Sequence, residues 1–277
     1  MQLPPAPDPL PSPVTDTHCH LDIARGPDRT WTGPEEALAG AAAVNVTRVV
    51  QIGCDLPGAK WAVTAAQRFP SMVAGVALHP NEAPRLAARR QLDAAMAEID
   101  RLAGSSDRVR AVGETGLDYF RTGQDGHAFQ EASFRAHIEM ARRHGKALVI
   151  HDRDAHPDVL RILDDEKLPD RVILHCFSGD ADMARHCASR GWFVSFAGPV
   201  TFTNAGPLRE ALAATPLDRV LVETDAPFLT PHPHRGKPNA PYLVPLTVRA
   251  MADVLAEDLE TVCNALQHNT DAAFGPW

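Results

Sequence analysis

The sequence predicts an α/β fold of the (β/α)8 TIM barrel class in a single domain, on three observations. Short β-branched or apolar runs recur eight times along the chain. An amphipathic, often alanine-rich stretch follows most of them, and strands alternating with helices imply parallel pairing through crossovers. The mean repeat is roughly thirty residues, which suits a closed barrel of about this length.

The runs read as strands are Val14–His18, Arg48–Gly53, Met72–Leu78, Val109–Glu114, Ala147–His151, Arg171–His175, Trp192–Phe196 and Arg219–Glu223. Helical patterns include Glu35–Val44, Ala59–Phe69, Arg85–Leu102, His127–His144, Leu208–Ala214, Tyr242–Ala256 and Leu259–His268. A doubly wound open sheet is the structural alternative, but the glycine-rich phosphate loop it often carries after the first strand is not found. Residues 1–13, MQLPPAPDPLPSP, form a Pro-rich arm expected to be disordered, because its prolines exclude helix and sheet. The barrel domain is then 14–277. The stretch TPHPHRGKPNAP is irregular for the same reason and suggests a loop over the barrel mouth.

A chain of 277 residues with 44% hydrophobic content has ample material for a full core. No apolar run is long enough to span a bilayer, and the N-terminus lacks a signal-peptide pattern. Five irregularly spaced cysteines argue against a disulfide framework, so a cytoplasmic home is expected. Cys54, Cys187 and Cys263 read as buried small hydrophobes, Cys19 and Cys176 as structural neighbours of histidines. A net charge of −8 argues against broad electrostatic binding of nucleic acid, so an anionic substrate would have to be gripped locally.

The informative pattern is where histidines and carboxylates fall. His18 and His20 close strand one, Glu114 strand four, His151 strand five and His175 strand six, and Asp225 follows strand eight. In a barrel these C-terminal strand ends converge on one face. Polar groups directly after apolar strands are costly unless paired or bound to metal. The donors are imidazole and carboxylate with no thiolate, which suits Zn, Mn, Mg or Fe rather than a structural zinc site. Six donors exceed what one four-coordinate catalytic ion needs, so two divalent ions sharing a carboxylate are expected. A His-x-His spacing alone is weak: His232-Pro233-His234 repeats it in a Pro-rich loop that fixes side chains poorly. His79 ends strand three and is a candidate substrate contact. His127, His137, His144, His156, His186 and His268 lie in helical or loop patterns and read as surface residues.

With these residues in view, the sequence resembles the TatD-type metal-dependent deoxyribonucleases, a branch of the amidohydrolase-like barrels. The matching segments are Thr-Asp-Thr-His-Cys-His-Leu-Asp (15–22), Val-Gly-Glu-Thr-Gly-Leu-Asp-Tyr (112–119), Val-Ile-His-Asp-Arg-Asp-Ala (149–155), Leu-His-Cys-Phe-Ser-Gly (174–179), Leu-Val-Glu-Thr-Asp-Ala-Pro (221–227) and Arg-Gly-Lys-Pro-Asn (235–239). They run in order over nearly the whole chain. The resemblance implies that His18, His20 and Asp225 hold one ion, that His151 and His175 hold the other, and that Glu114 bridges them. It implies hydrolysis of DNA phosphodiester bonds, often as a 3′-to-5′ exonuclease. Some relatives hydrolyse other esters, including D-aminoacyl esters on tRNA. Many relatives carry a second histidine after the strand-three His-Pro, where this chain has Asn81.

The expected chemistry is metal-assisted hydrolysis, with Asp225 as general base and Glu114 as the shared carboxylate. Arg153 and Arg235 are candidates to grip a phosphate, because guanidinium matches its geometry. Asp22 and Asp118 are expected to orient ligands, with Asp16, Asp152 and Glu223 as weaker candidates. The expected partners are nucleic-acid ends or small anionic esters, with no membrane and no obligate protein partner. The alternatives are a D-aminoacyl-tRNA deacylase or small ester or amide hydrolase of the same superfamily, and a catalytically silent metal-containing binding module.

Overall fold

The computed structural model describes residues 3–23 and 33–277. In chain order its elements are β1 (Val14–Cys19), α1 (Pro34–Ala43), β2 (Val46–Gly53), α2 (Leu56–Arg68), β3 (Met72–Val76), α3 (Glu82–Ala88), α4 (Leu92–Ala103), β4 (Val109–Asp118), α5 (Gln124–His144) and β5 (Ala147–Arg153). There follow α6 (His156–Asp165), β6 (Val172–Leu174), α7 (Ala181–Ser189), β7 (Phe193–Phe196), α8 (Gly206–Ala214), β8 (Val220–Val222), α9 (Val244–Leu255) and α10 (Leu259–Phe274). The strands form one eight-stranded sheet in the order β1 to β8, the order of a (β/α)8 barrel. The backbone divides into two compact units, residues 1–51 with 179–276 and residues 52–178 with Trp277.

In the first unit, β1 pairs in parallel with β2, Asp16 opposite Val49 and Cys19 opposite Gln51. β7 pairs with β8, and a bridge from Cys19 to Ala226 brings the segment after β8 beside β1. Helix α10 packs on β1 and β8, burying Val262, Leu266 and Phe274. Two of its helices start on aspartates whose carboxylates accept the otherwise unpaired N–H groups of the first turn: Asp180 from Met183 and Asp258 from Thr261.

The Pro-rich arm departs from expectation. Residues 3–13 form neither helix nor strand, as their prolines dictate, but they are packed. Leu10 is buried, its N–H donates to Val44 O at 3.2 Å, and Asn45 Nδ2 donates to Leu10 O at 2.6 Å. Tyr242 Oη and Arg249 hold Pro4 O and Pro9 O. Each proline removes an N–H that would otherwise need a partner, so the segment can lie along a surface that supplies donors to its carbonyls. Met1 and Gln2 of the arm lie outside the described residues.

In the second unit, β3, β4, β5 and β6 pair in parallel, with both faces of each strand buried as parallel sheets require. Ile99, Phe134, Ile138, Leu148 and Ile162 fill the helix–sheet layer. Strand β4 does not stop at Glu114 as expected but continues to Asp118, with a register shift between Val112 and Thr115. The helix expected over 85–102 is two, α3 and α4. Arg90 takes a left-handed φ of 56°, and the Gln91 N–H turns back to Leu86 O at 2.9 Å, ending α3.

Candidate metal centres

In the first unit, β1 ends in a way that presents both histidines. His18 is its penultimate residue and His20 follows its end, two residues apart and therefore on one side of the strand. Asp225 stands three residues beyond β8 at a φ of 54°, with its N–H on His18 O at 2.9 Å. The His20 N–H in turn donates to Ala226 O at 2.7 Å, so the two segments clamp each other. The result is a donor triangle: His18 Nε2 to His20 Nε2 3.2 Å, His20 Nε2 to Asp225 Oδ1 3.2 Å, and His18 Nε2 to Asp225 Oδ1 3.9 Å. Edges of that length suit ligands each about 2.1 Å from a shared ion. Asp225 alone of the three keeps appreciable exposure, 15% of its side chain.

Behind the triangle, the buried Asp16 carboxylate accepts the N–H groups of Thr224 and His18 and the Thr224 hydroxyl. Burial pushes this carboxyl up to about 7 despite those three hydrogen bonds. Asp22 is held by Gln51, whose Nε2 donates to it at 2.7 Å while its Oε1 accepts the Leu21 N–H. Asn239 closes the loop after β8, donating to Thr224 O and Phe228 O at 2.9 and 2.6 Å. That buried amide, which sequence reasoning passed over, fixes the backbone next to Asp225. Glu223 is buried beneath the same segment.

In the second unit, Glu114 is the hub. Its Oε1 lies 2.6 Å from His151 Nδ1, 3.0 Å from His175 Nε2 and 3.3 Å from His79 Nε2. His151 Nδ1 and His175 Nε2 are 3.5 Å apart. Burial raises the Glu114 carboxyl, but the imidazoles of His175, His79 and His151 outweigh it and hold it well below the usual carboxylate range. His79, expected as a substrate contact, also faces this cluster through Nε2. His79, Asp118 and His151 each offer a ligand atom within 4.8 Å of the others. The Asn81 N–H donates to His79 Nδ1 at 3.1 Å, which leaves Nε2 facing Glu114.

Asp118 lies 3.4 Å from His151 Nε2, on the far side of the ring from Glu114, as expected of a group that orients a ligand. Burial raises its carboxyl, and His151, the Asn81 amide and the Arg121 N–H together more than reverse that. Asn81 braces Asp118, donating to it at 2.9 Å, and also accepts the Thr122 hydroxyl at 2.8 Å. Asp152 faces helix α6, pairing with His156 Nδ1 at 2.7 Å.

Several expectations need correction. Cys54 is not a buried filler: its thiol lies 3.3 Å from Glu114 Oε2 and is half-buried, whereas Cys187 and Cys263 are buried as expected. His137 is not at the surface but fully buried on α5. A signal for it existed, because Gln130, Ser133 and His137 repeat at helical spacing on the stripe that also carries Phe134 and Ile138. His127, His144, His156 and His186 are half-buried, and His268 is exposed. Arg235 lies in the loop after β8 with its guanidinium 4.5 Å from the Phe202 ring, and Arg153 sits 3.9 Å over Phe120. His232 and Arg235 are exposed, and no donor cluster among the described residues includes His232 or His234.

Comparison with known proteins shows the family. The TatD related DNase family model matches residues 15–275. The chain is 46% identical over 266 residues to the uncharacterized metal-dependent hydrolase TatD of Mycobacterium tuberculosis, covering 95% of this chain and 98% of that protein. It is 37% identical over 262 residues to the metal-dependent hydrolase YcfH of Escherichia coli K12, covering 94% and 95%. The crystal structure of YjjV, a TatD homolog from Escherichia coli K12, superposes with a TM-score of 0.85 at 25% identity, covering 95% of this chain and 98% of that one. With a family match over nearly its whole length, the chain belongs to the TatD related DNase family and is a metal-dependent hydrolase on a (β/α)8 barrel fold.

Proposed function

We propose that the chain is a cytoplasmic deoxyribonuclease that hydrolyses phosphodiester bonds from free ends, of the 3′-to-5′ exonuclease type, with two divalent ions. The observation that carries the reading is the pair of donor clusters, His18–His20–Asp225 in the first unit and Glu114–His151–His175 in the second. Their mixture of imidazole and carboxylate, with second carboxylates behind them, fits hard or borderline divalent ions such as Zn, Mn, Mg or Fe. In the proposed assignment, the first cluster holds one ion, His151 and His175 hold the other, and Glu114 is shared between them. Bound there, the ions would lower the pKa of water and polarise the phosphoryl oxygen. Asp225, the most exposed of its cluster, takes the proton from the attacking water. His79, Arg153 and Arg235 contact the substrate, the two guanidiniums gripping phosphate. No helix among the described residues is long and apolar enough to cross a membrane.

The net charge of −8 favours attack on ends over grip along a duplex, because duplex affinity comes mainly from many phosphate contacts. The test compares linear single-stranded, blunt duplex and covalently closed circular DNA under matched metal and salt, beside aminoacyl-tRNA and small esters. Linear single strands should be shortened and the closed circle left intact. Rapid cutting of the circle overturns the exonuclease assignment. Fast hydrolysis of an aminoacyl or small carboxylic ester, with no nucleic acid cut, makes the chain a deacylase or esterase instead.

A further inference from the structure

Among the described residues only two large apolar side chains are exposed, Phe120 and Phe129, and both belong to the second unit. Phe120 is the more exposed at 61%, and the backbone around it is pinned. The Tyr119 N–H donates to Arg153 O at 2.9 Å, the Tyr119 ring stacks on His127 at 3.7 Å, and its hydroxyl donates to Asp158. On the other side, the Arg121 N–H donates to Asp118 Oδ1 at 2.9 Å. The Arg153 guanidinium lies over the Phe120 ring, its Cζ 3.9 Å from the ring centre, and makes no ion pair with the described residues. Its N–H groups therefore have no carboxylate partner among them. Asp118 and Arg153 are cross-strand partners at the ends of β4 and β5, so this pair stands two residues beyond His151, about 7 Å along the strand. Arg121 and Phe129 line a neighbouring cleft of about 400 Å³, together with Asp125 and with Arg85, which is paired with Glu82 at 2.6 Å.

An exposed ring on a pinned backbone, with a guanidinium that makes no ion pair beside it, offers what a single-stranded nucleic acid requires: a π-face for a base and a donor for the phosphates. We propose that Phe120 and Arg153 form a stacking platform that seats one base of a single-stranded nucleic-acid end beside the Glu114–His151 cluster. The base lies on Phe120, and the Arg153 N–H edge meets the adjoining phosphate. This rests on the nuclease reading above and adds to it the groups that would align the strand.

The test is a double-mutant cycle on binding, read without turnover. Dye-labelled single-stranded oligodeoxyadenylate, intact or carrying one abasic site scanned over its three terminal 3′ nucleotides, is titrated into full-length metal-free protein by fluorescence anisotropy. At one position the abasic site should weaken binding to the unmodified protein by about 10-fold, within the range that base–aromatic stacking contributes. Phe120→Ala should lose a similar factor and become indifferent to that abasic site, whereas Phe120→Tyr should retain both affinity and discrimination. Arg153→Ala should weaken binding and flatten its salt dependence. Multiplicative losses from Phe120→Ala and the abasic site at every position, or Phe120→Leu binding as tightly as Phe120→Tyr, would overturn the platform. A protein that binds the oligonucleotide and, with metal restored, cuts it, yet shows those results, loses only the platform. A protein that neither binds it nor cuts it with metal restored loses the nuclease reading as well.

Discussion

At His137 the tautomer is fixed from both sides. Nε2 accepts the Leu78 N–H at 3.2 Å, and Nδ1–H donates to Ser133 O at 2.8 Å. A second proton would have to sit on Nε2 facing a donor, and burial lowers the imidazole from 6.5 to about 4. Between those values the unfolded chain takes up a proton that the fold refuses. His137 thus leaves stability intact above pH 6.5 and removes it progressively as pH falls toward 4. From pH 7 to 5 the loss should be about 2 kcal/mol. Urea unfolding of His137→Gln should show a correspondingly shallower fall over that interval, and equal falls would refute the assignment. Glu114 concentrates more chemistry than any other residue, since three imidazoles face one of its oxygens. Glu114→Gln keeps the shape and removes the charge. It should cost more activity and bound metal than His20→Ala, by at least the 10- to 100-fold typical of losing a ligand's outer partner. Near-normal rate and metal content in Glu114→Gln would make it a bystander. Such roles were legible for Glu114, whose carboxylate interrupts an apolar strand, but not for Cys54, because only the strand pairing shows which thiol lies opposite a given carboxylate.

At the scale of elements, the strands were readable because each is buried on both faces and appears as a β-branched run. Their ends were less so. β4 overruns Glu114 because Gly116 to Asp118 pair with His151 to Arg153, a partner registration that no local pattern encodes. The break between α3 and α4 likewise turns on Arg90, a residue with no intrinsic preference for the left-handed conformation it adopts. The N-terminal arm gives the sharpest test. Leu10 is 1% exposed, so Leu10→Ala should destabilise the protein by about 2–3 kcal/mol, the lower part of the range for buried leucines. Thermal or urea unfolding reads this directly, and an unchanged midpoint would return the arm to the status of a free tail.

For the molecule as a whole, the clustering of donors predicts a link between metal and stability. Purified protein should carry up to two divalent ions per chain, and chelation should abolish hydrolysis reversibly. Readdition of an ion at about 100 times its dissociation constant should stabilise the fold by about 2.7 kcal/mol per site, seen as a rise in Tm. Full hydrolysis by metal-free protein would refute the metal requirement. The sequence by itself determined the eight strands, their alternation with helices and the donors at their ends, because burial periodicity and the cost of polar groups beside apolar strands are local properties. Tertiary structure decided which donors face one oxygen of Glu114 and that His79 also faces it. It also decided that the proline arm is packed. Those depend on contacts between segments far apart in the chain, which residue spacing does not specify.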